Sequence, residues 1–256
     1  MNYRENENFY NEDVVFEAPN AMRSLLYPVS PDIMKDPVHL AVFDMDGTSI
    51  DTSSPMLLVR KLLKERRLSV KDSAFIIHWA LSYKFHLPRE NNPVREKVFT
   101  AFMGEDYTEV CAELEKFSED KIVPEVRDAA INAMKKHMED GIIVILLSAS
   151  FDSVVARLMR DIPVNFGMAT LMKIDDDGKL TNEVLGTAPE ADGKPICLKT
   201  FADAEFGEGG WIVDYAYGDH MSDADILSMA KHPVAVCPDR KLKEYAEEKG
   251  WKIVNW

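Results

Sequence analysis

The chain has 256 residues and a formal net charge of −14. That length accommodates a full α/β core plus a smaller domain. The acidic balance argues against a nucleic-acid or anionic-membrane surface, which needs a basic footprint. An anionic small substrate remains compatible, because a metal ion or a local lysine can invert the field inside one pocket.

Cys111, Cys197 and Cys237 are far apart and form no CxxC pair, which suits a reducing compartment better than a disulfide scaffold. The start of the chain is acidic and lacks an apolar core, so no signal peptide is expected. The longest aliphatic run, IIVILL at 142–147, is far too short to span a bilayer. A cytoplasmic protein is expected; the sequence sets no oligomeric state.

Residues 1–36 are rich in acids and Asn and carry Pro19, Pro28 and Pro31, so they read as an N-terminal extension lying on the surface or partly disordered. VHLAVFD at 38–44 reads as a strand: short, β-branched and aromatic, ended by Asp and Gly. Residues 55–118 carry apolar side chains at helical spacing, among them Leu58, Leu62, Phe75, Trp79, Tyr83, Phe102 and Leu114. They predict a helical block between the first strand and the next. A helix over 124–139 follows, with Pro124 at its start and Gly141 as its stop. Next come a strand at 142–148, a helix at 152–160 and a strand-rich patch at 164–185 whose DDDG is read as a hairpin turn. The last predicted elements are a strand at 211–219, a helix at 222–231, a strand at 233–237, a helix at 239–249 and a short final strand. Alternating strands and helices predict an α/β fold with a doubly wound parallel sheet.

In such a sheet ligands bind beyond the carboxyl ends of the strands. Three predicted strands end in loaded loops: DMDGT with Asp44 and Asp46, SASFDS with Ser148, and YGDHMSDAD with Asp219 and Asp223. A fourth segment, DGKPICLK, adds Lys194 and Lys199. Carboxylates gathered in one pocket repel unless a cation sits among them, and an all-oxygen donor set suits Mg²⁺. A serine hydroxyl, loop N–H groups and one lysine suit a phosphoryl group. One aspartate can then attack phosphorus while the second, two residues on, handles protons.

This pattern resembles the haloacid dehalogenase (HAD) superfamily of phosphatases, through Asp44-Met45-Asp46-Gly47-Thr48, Ser148, Lys194, and Gly218-Asp219 with Asp223. SASFDSV, YAYGDHMSDADIL and the C-terminal segment from His232 look like the subfamily IB hydrolases, relatives of phosphoserine phosphatase. The resemblance covers about residues 38–256. It implies a Rossmann-like core over 37–54 and 119–256 with a small helical cap inserted at 55–118. It further implies Asp44 as nucleophile and Mg²⁺ ligand, and Asp46 as acid/base with its backbone carbonyl on the metal. By the same resemblance Ser148 and Lys194 would hold the phosphoryl oxygens, Asp219 would ligate Mg²⁺, and Asp223 would orient metal waters or Lys194.

Plainer roles compete at several positions. Ser148 and Asp223 could cap helices, and His220 could be a loop bystander. Lys199, inside an amphipathic helix, is expected to face solvent, which favours Lys194. The implied activity is hydrolysis of a small phosphorylated metabolite. The rivals are a phosphotransferase or mutase of the same superfamily and a non-catalytic phospho-ligand binding module. Two positions depart from the relatives: Ser49 stands where Leu is usual, and Ser53 where phosphoserine phosphatases carry the glutamate that receives the substrate's amino group. Phosphoserine is therefore not expected to be the best substrate.

Overall fold

Nearly every residue of Val38–Asp44 is apolar, and the strand it forms, β3, is buried on both faces. Alternation sorts its side chains: Leu40 and Val42 enter one core, Ala41 and Phe43 the other. The computed structural model describes residues 14–18, 21–35, 37–69, 71–75 and 98–256. Around β3 lie β1 (Val14–Ala18), β2 (Ala21–Ser24), β4 (Ile143–Phe151), β5 (Phe166–Ile174), β6 (Leu180–Leu185), β7 (Trp211–Gly218), β8 (His232–Val236) and β9 (Lys252–Val254). Their order is β1-β2-β5-β4-β3-β7-β8-β9, with β6 paired to β5.

The stretch from β5 to β9 is parallel, as the alternating pattern predicts. Helices cover both faces. On the Phe43 side lie α1 (Ser54–Lys64), α2 (Tyr107–Lys121), α3 (Asp128–Glu139) and α4 (Asp152–Leu158), through residues such as Leu62, Leu114, Met134 and Val155. On the Leu40 side lie α5 (Gly193–Phe206), α6 (Ala224–Ser228) and α7 (Arg240–Lys249), through Leu198, Leu227 and Leu242. The α/β class and the doubly wound sheet thus stand. Among the described residues, no helix is long and apolar enough to cross a membrane.

Several details differ from the sequence reading. Residues 14–18 and 21–24, placed there in a surface extension, are an antiparallel hairpin that continues the sheet beyond β5. Met22 and Ser24 are buried against β5, and Asn165 binds the Tyr27 carbonyl through its amide. Pro124 sits in a 3-10 turn (Val123–Glu125), and the following helix starts only at Asp128. β4 runs on to Phe151, so the Ser148 segment is extended backbone rather than loop. The helix expected over 222–231 is a 3-10 turn (Met221–Asp223) followed by α6. DDDG does turn a hairpin, between antiparallel β5 and β6.

Between residues 54 and 121 the described residues are helical at 54–64, 71–75, 98–100 and 107–121 and contribute none of the strands. Trp79 and Tyr83 lie outside the described residues, and Phe75 is exposed rather than in a core.

Candidate active site

Parallel register brings the carboxyl ends of β3, β4 and β7 level. Asp44 pairs with Leu147, one residue before Ser148, and Phe43 pairs with Tyr217, two before Asp219. Lys194 enters from the first turn of α5, and Asp223 from the 3-10 turn after β7. One carboxylate oxygen from each of Asp44, Asp219 and Asp223 lies within 4.8 Å of the others. Lys194 binds the Asp44 carboxylate and donates to Asp223 Oδ1 at 2.6 Å. Lys199 is 60% exposed and pairs with Asp203 one turn on, so of the two lysines only Lys194 lies in the cluster.

Two glycines permit this closeness. A Cβ on Gly47 would lie 2.2 Å from Asp219 Oδ2, and its φ of +76° is itself one that suits glycine. A Cβ on Gly218 would lie 2.7 Å from that of Asp223. Thr48 Oγ1 donates to Asp219 Oδ1 at 3.4 Å. Asp223 Oδ2 accepts from the His220 backbone N–H at 3.1 Å, closing the 3-10 turn, while its side chain makes no capping bond at the start of α6. His220 turns its Nδ1 to Ser222.

Asp46 is not one of the three clustered carboxylates, though its charge is felt by Asp44 and Asp219. Both its oxygens are held by Ser54, one by the backbone N–H and one by the hydroxyl at 3.0 Å. Ser54 Oγ also lies 3.1 Å from Ser150 Oγ. A hydroxyl has one proton, so Ser54 donates to Asp46 and accepts from Ser150. Ser148 Oγ accepts from the Ser150 backbone N–H at 3.0 Å. The register places Ser148 beside Asp44, but its hydroxyl bonds within its own segment.

Burial makes ionisation costly here. It pushes Asp219 up to about 9, helped by the charges of Asp44 and Asp223. It pushes Asp44 up to about 7 against the pull of Lys194, and Asp46 up to about 6 against the hydrogen bonds from Ser54. Burial also works against the Lys194 charge, but Asp223 and Asp44 overcome it and hold the ammonium above its usual range. One ammonium cannot neutralise this set of acids. A compact, all-oxygen cluster short of positive charge fits a small divalent cation.

A model of the haloacid dehalogenase-like hydrolase family matches residues 41–228, spanning the whole cluster. The chain belongs to this family. Histidinol-phosphatase of Neisseria meningitidis serogroup C (strain 8013) is 25% identical over 225 residues, which are 85% of this chain and 99% of that one. Among solved structures, a protein of unknown function from Bordetella pertussis Tohama I superposes with a TM-score of 0.72 at 24% identity, covering 85% and 98% of the two chains. A phosphoserine phosphatase bearing a phospho-aspartyl intermediate analogue superposes with a TM-score of 0.56 at 20% identity, covering 86% and 92%. With phosphatases among its relatives, this HAD hydrolase is an enzyme of the phosphatase type.

Sequence reasoning missed Ser54, Ser150 and Arg127. Ser54 meets Asp46 only because the chain turns back on entering α1. Arg127 reaches the loop after β3 from a segment about eighty positions downstream. No local motif announces either contact.

Proposed function

We propose that the chain is a Mg²⁺-dependent phosphate monoesterase that works through an aspartyl-phosphate on a small substrate. The observation that carries this reading is the Asp44–Lys194–Asp223 cluster, with Asp219 within 4.8 Å, at the carboxyl edge of the sheet. An Asp44 carboxylate oxygen attacks phosphorus, and the ester P–O bond breaks as that electron pair moves to the leaving oxygen. Asp46, raised to about 6, gives that oxygen its proton. It then takes a proton from the water that attacks phosphorus, releasing phosphate and restoring the Asp44 carboxylate. Lys194 and Ser148 hold the phosphoryl oxygens, and Ser54 holds Asp46 in place. Asp44, Asp219, the Asp46 backbone carbonyl and, directly or through water, Asp223 would hold Mg²⁺, which supplies positive charge to screen the acids and the phosphoryl group.

The helical residues from 55 to 118 form the cap in this reading, hinged near 50–55 and 118–123, and closure excludes water during the first step. The best substrate in this reading is a small phosphate ester other than phosphoserine. Ser53, standing where the glutamate would be, sits at the start of α1 and offers no countercharge, and the nearby Asp51 is paired with Arg127 at 2.6 Å.

The test is phosphate release, without added acceptor, from phosphoserine, histidinol phosphate, other phosphorylated amino alcohols, sugar phosphates and lysophosphatidic acid. Release that EDTA abolishes and Mg²⁺ restores is the expected outcome. Full turnover in metal-free buffer would refute the metal's role. Transfer only to an organic acceptor would make the protein a phosphotransferase. A kcat/KM for phosphoserine tenfold above all others, about 1.4 kcal/mol of preference, would overturn the substrate reading.

A further inference from the structure

The loop between β3 and α1 carries Asp46 and Gly47, and something outside the catalytic cluster fixes its shape. Gly47 N–H closes the loop on the Thr52 carbonyl at 3.0 Å. On its outer side the segment before α3 runs alongside it. Asp51 N–H donates to the Glu125 carbonyl at 2.8 Å, Ile50 bridges Val126, and Arg127 N–H donates to the Ser49 carbonyl at 3.0 Å. The Arg127 side chain completes the clamp. Nη2 donates to the Gly47 carbonyl at 3.3 Å and to Asp51 Oδ1 at 2.6 Å, and Nη1 donates to the Trp256 carbonyl at 3.0 Å.

Asp51 is 70% exposed, so that ion pair is screened and carries little energy of its own. Arg127 is only 12% exposed, and its Nε is buried with no hydrogen-bond partner among the described residues. A buried guanidinium with an unpaired N–H costs free energy, and the fork to Gly47 and Trp256 is what its burial achieves. Gly47 is also where the Asp219 carboxylate rests, too close to admit even a methyl group. The orientation of the Gly47 peptide therefore limits how Asp219 approaches Asp44 and Asp223.

We infer that Arg127 is a positioning residue for the metal-binding carboxylates, acting through the Gly47 carbonyl on Asp219 without touching substrate or metal. The inference rests on the Mg²⁺-dependent reading above.

The experiment is calorimetric titration of Mg²⁺ into the full chain, for wild type, Arg127→Ala, Arg127→Lys and Asp51→Ala, with thermal melts of each. Arg127→Ala is expected to weaken Mg²⁺ binding by about tenfold, the scale for losing a partner that supports a ligand. Arg127→Lys reaches one acceptor instead of a fork, and a loss between those of wild type and Arg127→Ala is expected. Asp51→Ala keeps the Gly47 contact and is expected to stay within about twofold of wild type. A merely structural arginine would lower the melting temperature and leave the Mg²⁺ affinity of the folded protein unchanged. That result overturns the inference, and so does Asp51→Ala matching Arg127→Ala. Should Arg127→Ala not fold, a folded Arg127→Lys with wild-type affinity overturns it equally. Failure of the wild type to bind Mg²⁺ at all overturns the functional reading itself, a different and distinguishable result.

Discussion

The proposed attack on phosphorus needs an ionised Asp44 oxygen, and Lys194 binds that carboxylate in a setting that otherwise resists ionisation. Asp44→Asn keeps the size and removes the charge. Turnover is expected to fall about a thousandfold or more, on the order of 4 kcal/mol of barrier. The variant should fold at least as well as wild type, since one repelling charge is gone; a tenth of wild-type kcat in steady-state assays would sink the covalent route. Gly47→Ala tests the backbone instead. It forces a side chain into a left-handed φ and toward Asp219 Oδ2. It is expected to cost about 1–3 kcal/mol in urea unfolding and to abolish Mg²⁺ binding. That Asp44, Lys194, Asp219 and Asp223 come together was legible in the sequence, because each sits in a short motif at a strand end or helix start. Ser54 and Arg127 were not, because their partners come from chain reversal and from a distant segment.

The clearest failure of pattern reading at the element scale is the N-terminal hairpin. AMRS has no alternation to mark it, and its neighbours are acidic and rich in Asn and Pro. Its strand character comes from non-local pairing: Ala21, Met22 and Arg23 face Met168, Gly167 and Phe166 across the sheet. Arg23 lies over the Phe166 ring and pairs with Glu205. Met22 is 1% exposed, so Met22→Ala is expected to destabilise the protein by about 2–5 kcal/mol in urea melts. A surface extension would make the same change nearly neutral. β3 and β4 were legible for the opposite reason: sheet burial on both faces demands the unbroken apolar runs that mark them.

Across the whole molecule the buried acids make metal and stability one problem. Asp44, Asp46 and Asp219 have folded-state pKa values of about 7, 6 and 9, all above the ordinary 3.8. Between about 4 and 9 these three acids therefore hold more protons in the metal-free folded state than in the unfolded chain, and their contribution to stability falls as pH rises through that window, opposed in part by His137, which burial lowers. Lys194, raised from 10.5, stays charged throughout it and does not offset the trend. In the proposed reading Mg²⁺ would bind the ionised carboxylates, so it should raise the melting temperature more at about pH 8.5 than at about pH 5.5. Asp219→Asn should flatten the pH dependence measured in EDTA. An Mg²⁺ shift independent of pH would contradict the carboxylate assignment.

The stacking around Tyr217 has an optical consequence. The Trp256 indole lies 5.5 Å from the Tyr217 ring at 31°, and the Trp256 backbone N–H donates to the Cys237 sulfur at 3.3 Å. Tyr217 stands two residues before Asp219, and the Trp256 carbonyl shares Arg127 with Gly47. Trp256 is thus a fluorophore in contact with the strand that leads to Asp219 and with the arginine that holds Gly47. Its emission should change when a phosphate mimic such as vanadate is added with Mg²⁺, and Trp256→Phe should silence that response. Ligand affinity could then be followed in real time with no turnover at all.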